Sequence, residues 1–101
     1  MLTKEVVETV KSPVTHLVTA LKEGNYFICE RDKLHEKNVL SAGMHPADLI
    51  GVIEQGEQVE MCLWPQSHVT LFVLRTKFNK RIWYLKWYEV GTKVVIISAH
   101  P

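Results

Sequence analysis

The 101-residue chain lacks the features that would assign it to several large classes of protein. No stretch approaches the ~18 consecutive apolar residues of a membrane-spanning helix. Residues 1–5 also lack the apolar core of a signal peptide. We therefore expect a cytoplasmic protein without a membrane partner. The only two cysteines, Cys29 and Cys62, form no CxxC motif. Buried reduced thiols are the expectation for them, and a single disulfide or a catalytic thiol is the alternative.

Motifs for metals and nucleotide cofactors are missing as well. The histidines and cysteines show no HxxxH, HxH or Cys/His spacing that would hold a metal ion. The chain has no glycine-rich phosphate loop and no GxSxG turn around a nucleophilic serine. We therefore expect no metal and no cofactor. The formal net charge of +1 argues against a polybasic binder, so any contact with nucleic acid requires local clustering of cations.

The length predicts a single domain over residues 1–101. The first half has the apolar spacing of helices, with a serine–proline start signal at Ser12-Pro13 and glycine stops at Gly24, Gly43 and Gly56. It predicts helices over Thr3–Lys11, Ser12–Glu23, Arg31–Ala42 and His45–Gln55, and a short extended segment over Tyr26–Cys29.

In the second half the apolar residues alternate with a period of two, which is typical of strands. The predicted strands are Val59–Trp64, ended by Pro65, and then Val69–Thr76, Arg81–Glu89 and Lys93–Ala99. Consecutive strands joined by short turns pair antiparallel. The fold class is therefore α+β, with N-terminal helices packed on one face of a four-stranded antiparallel sheet.

The last hairpin decides which side chains share a face. A three-residue turn at Val90-Gly91-Thr92 would place Tyr84 opposite Ser98 and Lys86 opposite Ile96. The face covered by the helices would then hold one continuous apolar set: Trp83, Leu85, Trp87, Val95, Ile97 and Ala99. A turn shorter or longer by one residue would move Ser98 and His100 to the covered side.

In that register the opposite face carries groups suited to RNA cleavage without a metal. His100 can transfer a proton near neutral pH, and Lys86 and Arg75 can stabilise the charge that develops on a phosphate. Tyr84 can position the substrate by stacking on a base or can donate a proton. The candidate catalytic residues are therefore Tyr84, Lys86, His100 and Arg75.

Cations cluster in the same part of the chain. From Arg75 onward there are six lysines and arginines against one acid, Glu89. The candidate nucleic-acid-binding residues are Lys77, Lys80, Arg81, Tyr88 and Ser98. An ordinary half-solvated face is the alternative, because lysines at turns and edges also discourage strand aggregation. Among the other histidines, we expect His16 to face solvent, His45 to cap a helix, and His68 to lie in a loop that reaches the sheet edge.

The order of several short motifs resembles the RelE/ParE superfamily of small bacterial toxins. Within it the chain is similar to the motility quorum-sensing regulator type of messenger-RNA-cleaving toxins and to the uncharacterised DUF4258 proteins. The resemblance covers roughly residues 14–101. It is carried by Leu21-Lys22-Glu23-Gly24, Tyr26-Phe27-Ile28, Gly43-Met44-His45-Pro46-Ala47-Asp48-Leu49-Ile50, Ile53-Glu54-Gln55-Gly56, Tyr84-Leu85-Lys86 and Val94–Pro101.

This resemblance implies an endoribonuclease of a type II toxin–antitoxin system that cuts free or ribosome-bound RNA, and a cognate antitoxin as partner. Tyr84 matches the family's active-site tyrosine, and His100 stands where the family has a basic residue. The family's glutamine in the second strand and the lysine before that strand have no counterparts here. A non-catalytic binding module for RNA or protein is the alternative. A homodimer formed through the apolar strand Leu71–Leu74 is a further expectation.

Overall fold

The structure, a computed structural model, describes residues 5–6, 12–29, 38–66 and 69–101. It confirms the α+β class. Two helices pack on a mixed sheet of five strands, which a two-residue strand extends at one edge. The elements in chain order are β1 (Glu5–Val6), α1 (Ser12–Glu23), β2 (Tyr26–Ile28), α2 (Pro46–Gln55), β3 (Glu57–Gln66), β4 (Val69–Phe78), β5 (Arg81–Val90) and β6 (Lys93–His100).

The sheet order is β1-β3-β4-β5-β6-β2. The four predicted strands form its antiparallel centre. The prediction of a sheet with four strands was wrong at both edges, because β2 pairs parallel with β6 and β1 pairs antiparallel with β3. Pro65 does not end β3 as predicted. The strand continues to Gln66 and pairs with the start of β4, at Thr70 and Val69.

Both described helices begin and end where the sequence predicts. Pro46 occupies the first turn of α2, and the His45 ring accepts a hydrogen bond from the Ala47 amide over 3.0 Å at the helix start. This confirms His45 as a cap. Asp48 in the same turn complements the helix dipole.

The structure describes only parts of the other two predicted helices, and neither part is helical. The helix predicted over Thr3–Lys11 lies mostly outside the described residues, and its described part, Glu5–Val6, is a strand paired with β3. The helix predicted over Arg31–Ala42 is wrong in its described part. Asn38 bridges Ala99, and turns follow through Gly43. The Asn38 side chain accepts a hydrogen bond from the Leu40 amide, which favours a turn over a helix.

The core lies between the helices and one face of the sheet, here called the covered face. Its largest member is Trp87, which has no exposed surface and stacks on Phe72 with ring centroids 5.6 Å apart. The helices and strands contribute Leu17, Val18, Ala20, Leu21, Leu49, Ile50, Ile53, Met61, Leu74, Leu85, Val94, Ile96 and Ala99. Trp83 is only partly buried and packs against this cluster.

The last hairpin differs from the prediction at two places, its turn and a bulge in β6. The bulge cancels the effect of the turn on which face the later residues of β6 occupy. Its turn has two residues, so Val90 pairs with Lys93, and the first half of β6 puts Val94 and Ile96 on the covered face. Ile97 is then an extra residue, a β-bulge between the Lys86–Ser98 and Trp87–Ile96 pairs. The predicted register, and with it the placement of Val95 and Ile97 on the covered face, was wrong. Because the bulge adds one residue, Ser98, Ala99 and His100 lie on the faces that were predicted for them.

The predicted dimer surface is not available as a sheet edge. β4, which contains Leu71–Leu74, lies between β3 and β5 and pairs with both along its length. Val73 and Leu74 are buried within the chain. β4 therefore cannot add a second copy as a sheet edge, and Leu71–Leu74 is not the exposed strand that the prediction assumed. Across the described ranges, neither helix is long and apolar enough to cross a membrane.

Candidate active site

Three rows of side chains cross the face of the sheet opposite the covered face, here called the open face. Both described helices pack on the other side. In an antiparallel sheet, directly paired residues share a face, so each row follows from the pairing of β3, β4, β5 and β6. The first row is Glu60, Arg75, Tyr84 and His100. The second row is Cys62, Val73, Lys86 and Ser98. The third row is Trp64, Leu71, Tyr88 and Val95.

The first row is a chain of direct contacts. Arg75 and Glu60 form an ion pair in which Nη1 donates to Oε1. The Arg75 guanidinium carbon also lies 5.6 Å from the centroid of the Tyr84 ring, within cation–π range. On its other side, Tyr84 meets the His100 imidazole, with centroids 5.6 Å apart and planes tilted by 37°. The pairing thus aligns a carboxylate, a guanidinium, a phenol and an imidazole.

The His100 ring has a partner that indicates its tautomer. Nδ1 lies 3.1 Å from the Pro101 carbonyl oxygen, which can only accept a hydrogen bond. Nδ1 therefore carries the proton that is donated to this oxygen. In the neutral ring Nε2 then holds the lone pair, so that His100 can accept a proton at Nε2.

The second row brings the candidate cation Lys86 beside the first. Lys86 follows Tyr84 by two residues on β5 and pairs directly with Ser98 on β6. Two residues along a strand span about 6.6 Å, so ammonium, phenol and imidazole border one small area. Ser98 is only 1% exposed. At this exposure the Ser98 side chain lies beneath this area and offers almost no surface to a ligand.

A hollow of about 260 Å³ lies on the open face between β3 and β5. It exists because short side chains occupy its centre, with Cys62 and Val73 buried at the floor and longer side chains around them. The walls are Glu60, Trp64, Leu71, Arg75, Tyr84 and Lys86. Two candidate cations therefore border a concave surface with an apolar floor.

The other candidate nucleic-acid-binding residues do not gather in one place. Tyr88 lies in the third row. Lys77 pairs with Ile82, which places it on the open face beyond Arg75. Arg81 pairs with Phe78, and the alternation along β5 directs it to the covered face. Lys80 lies in the β4–β5 turn, where it and Asn79 have positive φ angles. The predicted basic patch is thus divided between two faces and a turn.

Sequence reasoning singled out neither Glu60 nor Trp64, which both line the hollow. Strand alternation puts Glu60 on the same face as Cys62 and Trp64, because residues two apart along a strand share a face. A bulge at Val59, between the Gln58–Thr76 and Glu60–Arg75 pairs, places Gln58 on the covered face instead. The opposite charges of Glu60 and Arg75 in adjacent strands were the available signal.

The remaining histidine predictions have separate outcomes. His16 does not simply face solvent, since its Nδ1 lies 2.8 Å from Glu89 Oε2 and its Nε2 lies 3.1 Å from the Thr92 carbonyl oxygen. Both contacts raise the pKa of His16 above 6.5, the Glu89 carboxylate most strongly. His68 lies outside the described residues. Cys29 is half-buried and Cys62 is buried, and the two described cysteines are not joined by a disulfide.

Comparison of the chain with protein-family models, with curated proteins and with solved structures gave no match. The geometry of the open face is therefore the basis for assigning a function.

Proposed function

We propose that the chain is a metal-independent endoribonuclease that cleaves single-stranded RNA on the open face, as toxins of the RelE superfamily do. The observation that carries this proposal is the first row, in which Arg75, Tyr84 and His100 are in contact, with Lys86 beside them. These groups supply a proton acceptor, two positive charges and an aromatic ring, which are the groups that attack by a ribose 2′-hydroxyl on its adjacent phosphate requires.

In the proposed reaction, His100 Nε2 takes the proton of the 2′-hydroxyl. The bond between the 2′-oxygen and phosphorus forms as the bond between phosphorus and the 5′-oxygen breaks. The proton is returned to the leaving 5′-oxygen, so His100 ends unchanged and the products carry a 2′,3′-cyclic phosphate and a 5′-hydroxyl. Lys86 and Arg75 stabilise the negative charge on the phosphoryl oxygens. Tyr84 positions the nucleotide between them.

The first test measures cleavage of single-stranded RNA by the purified chain in the presence of a metal chelator. We expect products with 2′,3′-cyclic phosphate ends, and no cleavage of the same sequence as DNA. Removing a general base costs about 10²–10⁴ in rate, so we expect His100→Ala to lose activity by that factor. Lys86→Ala should lose about 10²–10³ through loss of charge stabilisation.

A matched control is Lys22→Ala. Lys22 is an exposed lysine on α1, where it lies 3.9 Å from Glu54, and it is remote from the open face. Expression of the wild-type chain in bacteria should arrest growth, and the His100 and Lys86 variants should not, whereas Lys22→Ala should behave as the wild type. A wild-type chain that permits normal growth and leaves every tested RNA intact would end the nuclease proposal.

A non-catalytic binding module for RNA or protein is the second candidate. It is favoured by the Glu60–Arg75 ion pair, because a carboxylate in contact with Arg75 compensates part of the charge that catalysis needs. Salt-sensitive retention of RNA without cleavage would support the module.

The nuclease proposal includes an antitoxin partner, for which a neighbouring gene encoding a small DNA-binding protein would be the simplest sign.

A further inference from the structure

The third row of the open face continues onto the short parallel strand β2. Phe27 pairs with Val95, which itself pairs with Tyr88, so the row runs without a gap from β5 to β2. The neighbour of Phe27 along the strand, Tyr26, packs against the core, and alternation therefore turns Phe27 to the open face. Phe27 is 54% exposed. The row thus ends in an aromatic ring that is accessible from solvent.

Lys93 adds a cation beside this ring. It pairs with Val90 and lies two residues before Val95, which places it on the open face. Its Nζ is 4.8 Å from the centroid of the Phe27 ring, within cation–π range. Phe27 keeps its exposure with the ammonium group in this position, so part of its surface remains accessible for a further contact.

Acidic residues are distributed unevenly over the open face. In the strands that the structure describes, the acids of this face are Glu57 and Glu60, and both lie on β3. Glu89 on β5 pairs with Val94 and points to the covered side. The half of the open face formed by β5, β6 and β2 therefore carries cations and aromatic rings and no described acid. Because carboxylates repel phosphates, this half is the more favourable one for a polyanion.

We propose that single-stranded RNA runs from the reaction centre at Tyr84 and His100 along the third row to β2. A base stacks there on the Phe27 ring, and Lys93 contacts a neighbouring phosphate. The inference rests on the proposed function and names the part of the substrate that lies away from the cleaved bond. Four residues separate Tyr84 from Tyr88, about 13 Å along a strand. Phe27 therefore contacts a different nucleotide from the one that is cleaved.

The chemistry of this end of the row matches RNA in particular. Proteins bind single strands through aromatic side chains on which bases stack and through cations that follow the backbone. An ammonium group beside an exposed aromatic ring corresponds to the repeat of a phosphate and a flat base along the strand. Stacking tolerates every base, so this contact adds affinity without adding sequence preference.

The test uses the His100→Ala variant of the full chain, so that RNA is bound without being cut. Fluorescence anisotropy measures the affinity for labelled octauridine, and displacement of this label measures shorter oligouridines down to the dinucleotide. We expect the affinity to rise with length until the strand reaches β2. Adding Phe27→Leu should weaken octauridine about tenfold, the loss of one stacked base, and should not affect the dinucleotide. Phe27→Tyr keeps the ring and should retain most of the affinity.

Lys93→Gln tests the phosphate contact separately. Loss of one contact with a single strand should reduce the slope of log affinity against log salt by about 0.7. The matched control is Lys22→Gln, the same change at an exposed lysine of α1 on the other side of the sheet, which should leave the slope unchanged. The salt slope remains decisive if Phe27→Leu does not fold, since Lys93 is an exposed residue at a turn.

An affinity that does not rise with length, or equal binding of octauridine by the Phe27→Leu variant, would overturn the RNA path along the third row. If the wild type still cleaves RNA in that case, the proposed function stands, and a protein partner becomes the better occupant of the row. Absence of both binding and cleavage for every RNA would instead overturn the proposed function, and the RNA path with it.

Discussion

The two faces of the sheet are built from the same four central strands, yet different interactions organise them. The covered face is filled by aliphatic side chains and by Trp87, which pack against α1 and α2 and are almost fully buried. On the open face, polar and aromatic side chains lie in cross-strand rows, in which only Cys62, Val73 and Ser98 are buried. The comparison indicates that one face supplies most of the stability of the domain and that the other holds the candidate site.

The sharpest way to test this division is to make the same substitution on both faces. Leu85 is 1% exposed on the covered face, and Leu71 is half-buried on the open face. Truncation of a buried leucine costs about 2–5 kcal/mol through lost burial and the cavity left behind. We expect that loss for Leu85→Ala and about 1 kcal/mol or less for Leu71→Ala.

Urea unfolding followed by tryptophan fluorescence measures both free energies of unfolding. The two variants should show the reverse order in RNA binding, because only Leu71 lines the hollow. Equal losses of stability would mean that the open face is as much a core as the covered one. The separation of stability from function would then be wrong.

A second test, for which the expected loss of stability is smaller, concerns how closely the end of α2 approaches the covered face. A Cβ at Gly56 would lie 2.4 Å from the Val52 carbonyl oxygen and 2.5 Å from Thr76 Oγ1. The Thr76 hydroxyl is itself held by a 3.1 Å hydrogen bond that it donates to the Glu57 carbonyl oxygen. Overpacking of this kind costs about 1–3 kcal/mol, so we expect Gly56→Ala to destabilise the domain by that amount.

Gly51 provides the matched control, because a Cβ there meets no other atom within 4 Å. Gly51→Ala lies inside α2 and should stabilise the domain by about 0.5–1 kcal/mol, since alanine is the better helix former. The measurement is again the free energy of unfolding in urea. A neutral Gly56→Ala would show that the turn between α2 and β3 adjusts, and that the approach to Thr76 is loose.

The covered face could be predicted from the sequence to a large extent, and the reasons are local. The spacing of Leu17 and Leu21 fixes the buried stripe of α1, and Ser12-Pro13 and Gly24 mark its ends. Alternation along β5 correctly places Leu85 and Trp87 in the core. Both signals depend on residues that lie close together in the chain.

The open face depends on a bulge that strand alternation does not reveal. In Val94–Ile97 every residue is apolar, so the sequence offers no pattern from which to locate the extra residue at Ile97. The predicted turn was one residue too long, and the bulge at Ile97 adds one residue that the prediction lacked, so the two errors cancel. Ser98 and His100 therefore share a face with Lys86 and Tyr84 as predicted, although the register differs. The bulge at Val59 changes the face of Gln58, whereas Glu60 lies on the face that alternation with Cys62 and Trp64 predicts.

The smallest expected effect concerns the border where the covered face meets solvent. His16 on α1 contacts the Glu89 carboxylate, on the covered side of β5, and the carbonyl oxygen of Thr92 in the following turn. Two acceptors can both be satisfied only by the protonated ring, which donates from both nitrogens. This explains why the pKa of His16 is raised in the folded chain.

The sign of the pH effect follows from this direction. Because the folded-state pKa of His16 is raised above the unfolded value of about 6.5, the contribution to stability is complete below pH 6.5 and is lost as the pH rises through the folded-state pKa. We expect a loss of about 1 kcal/mol or less, since both side chains are nearly one-third exposed and solvent screens the pair. Urea unfolding at a series of pH values above 6 should show this decline in the wild type and a flatter profile in His16→Gln, in which the other histidines are retained. Parallel profiles for the two proteins would show that the contact of His16 with Glu89 contributes nothing to holding α1 on the sheet.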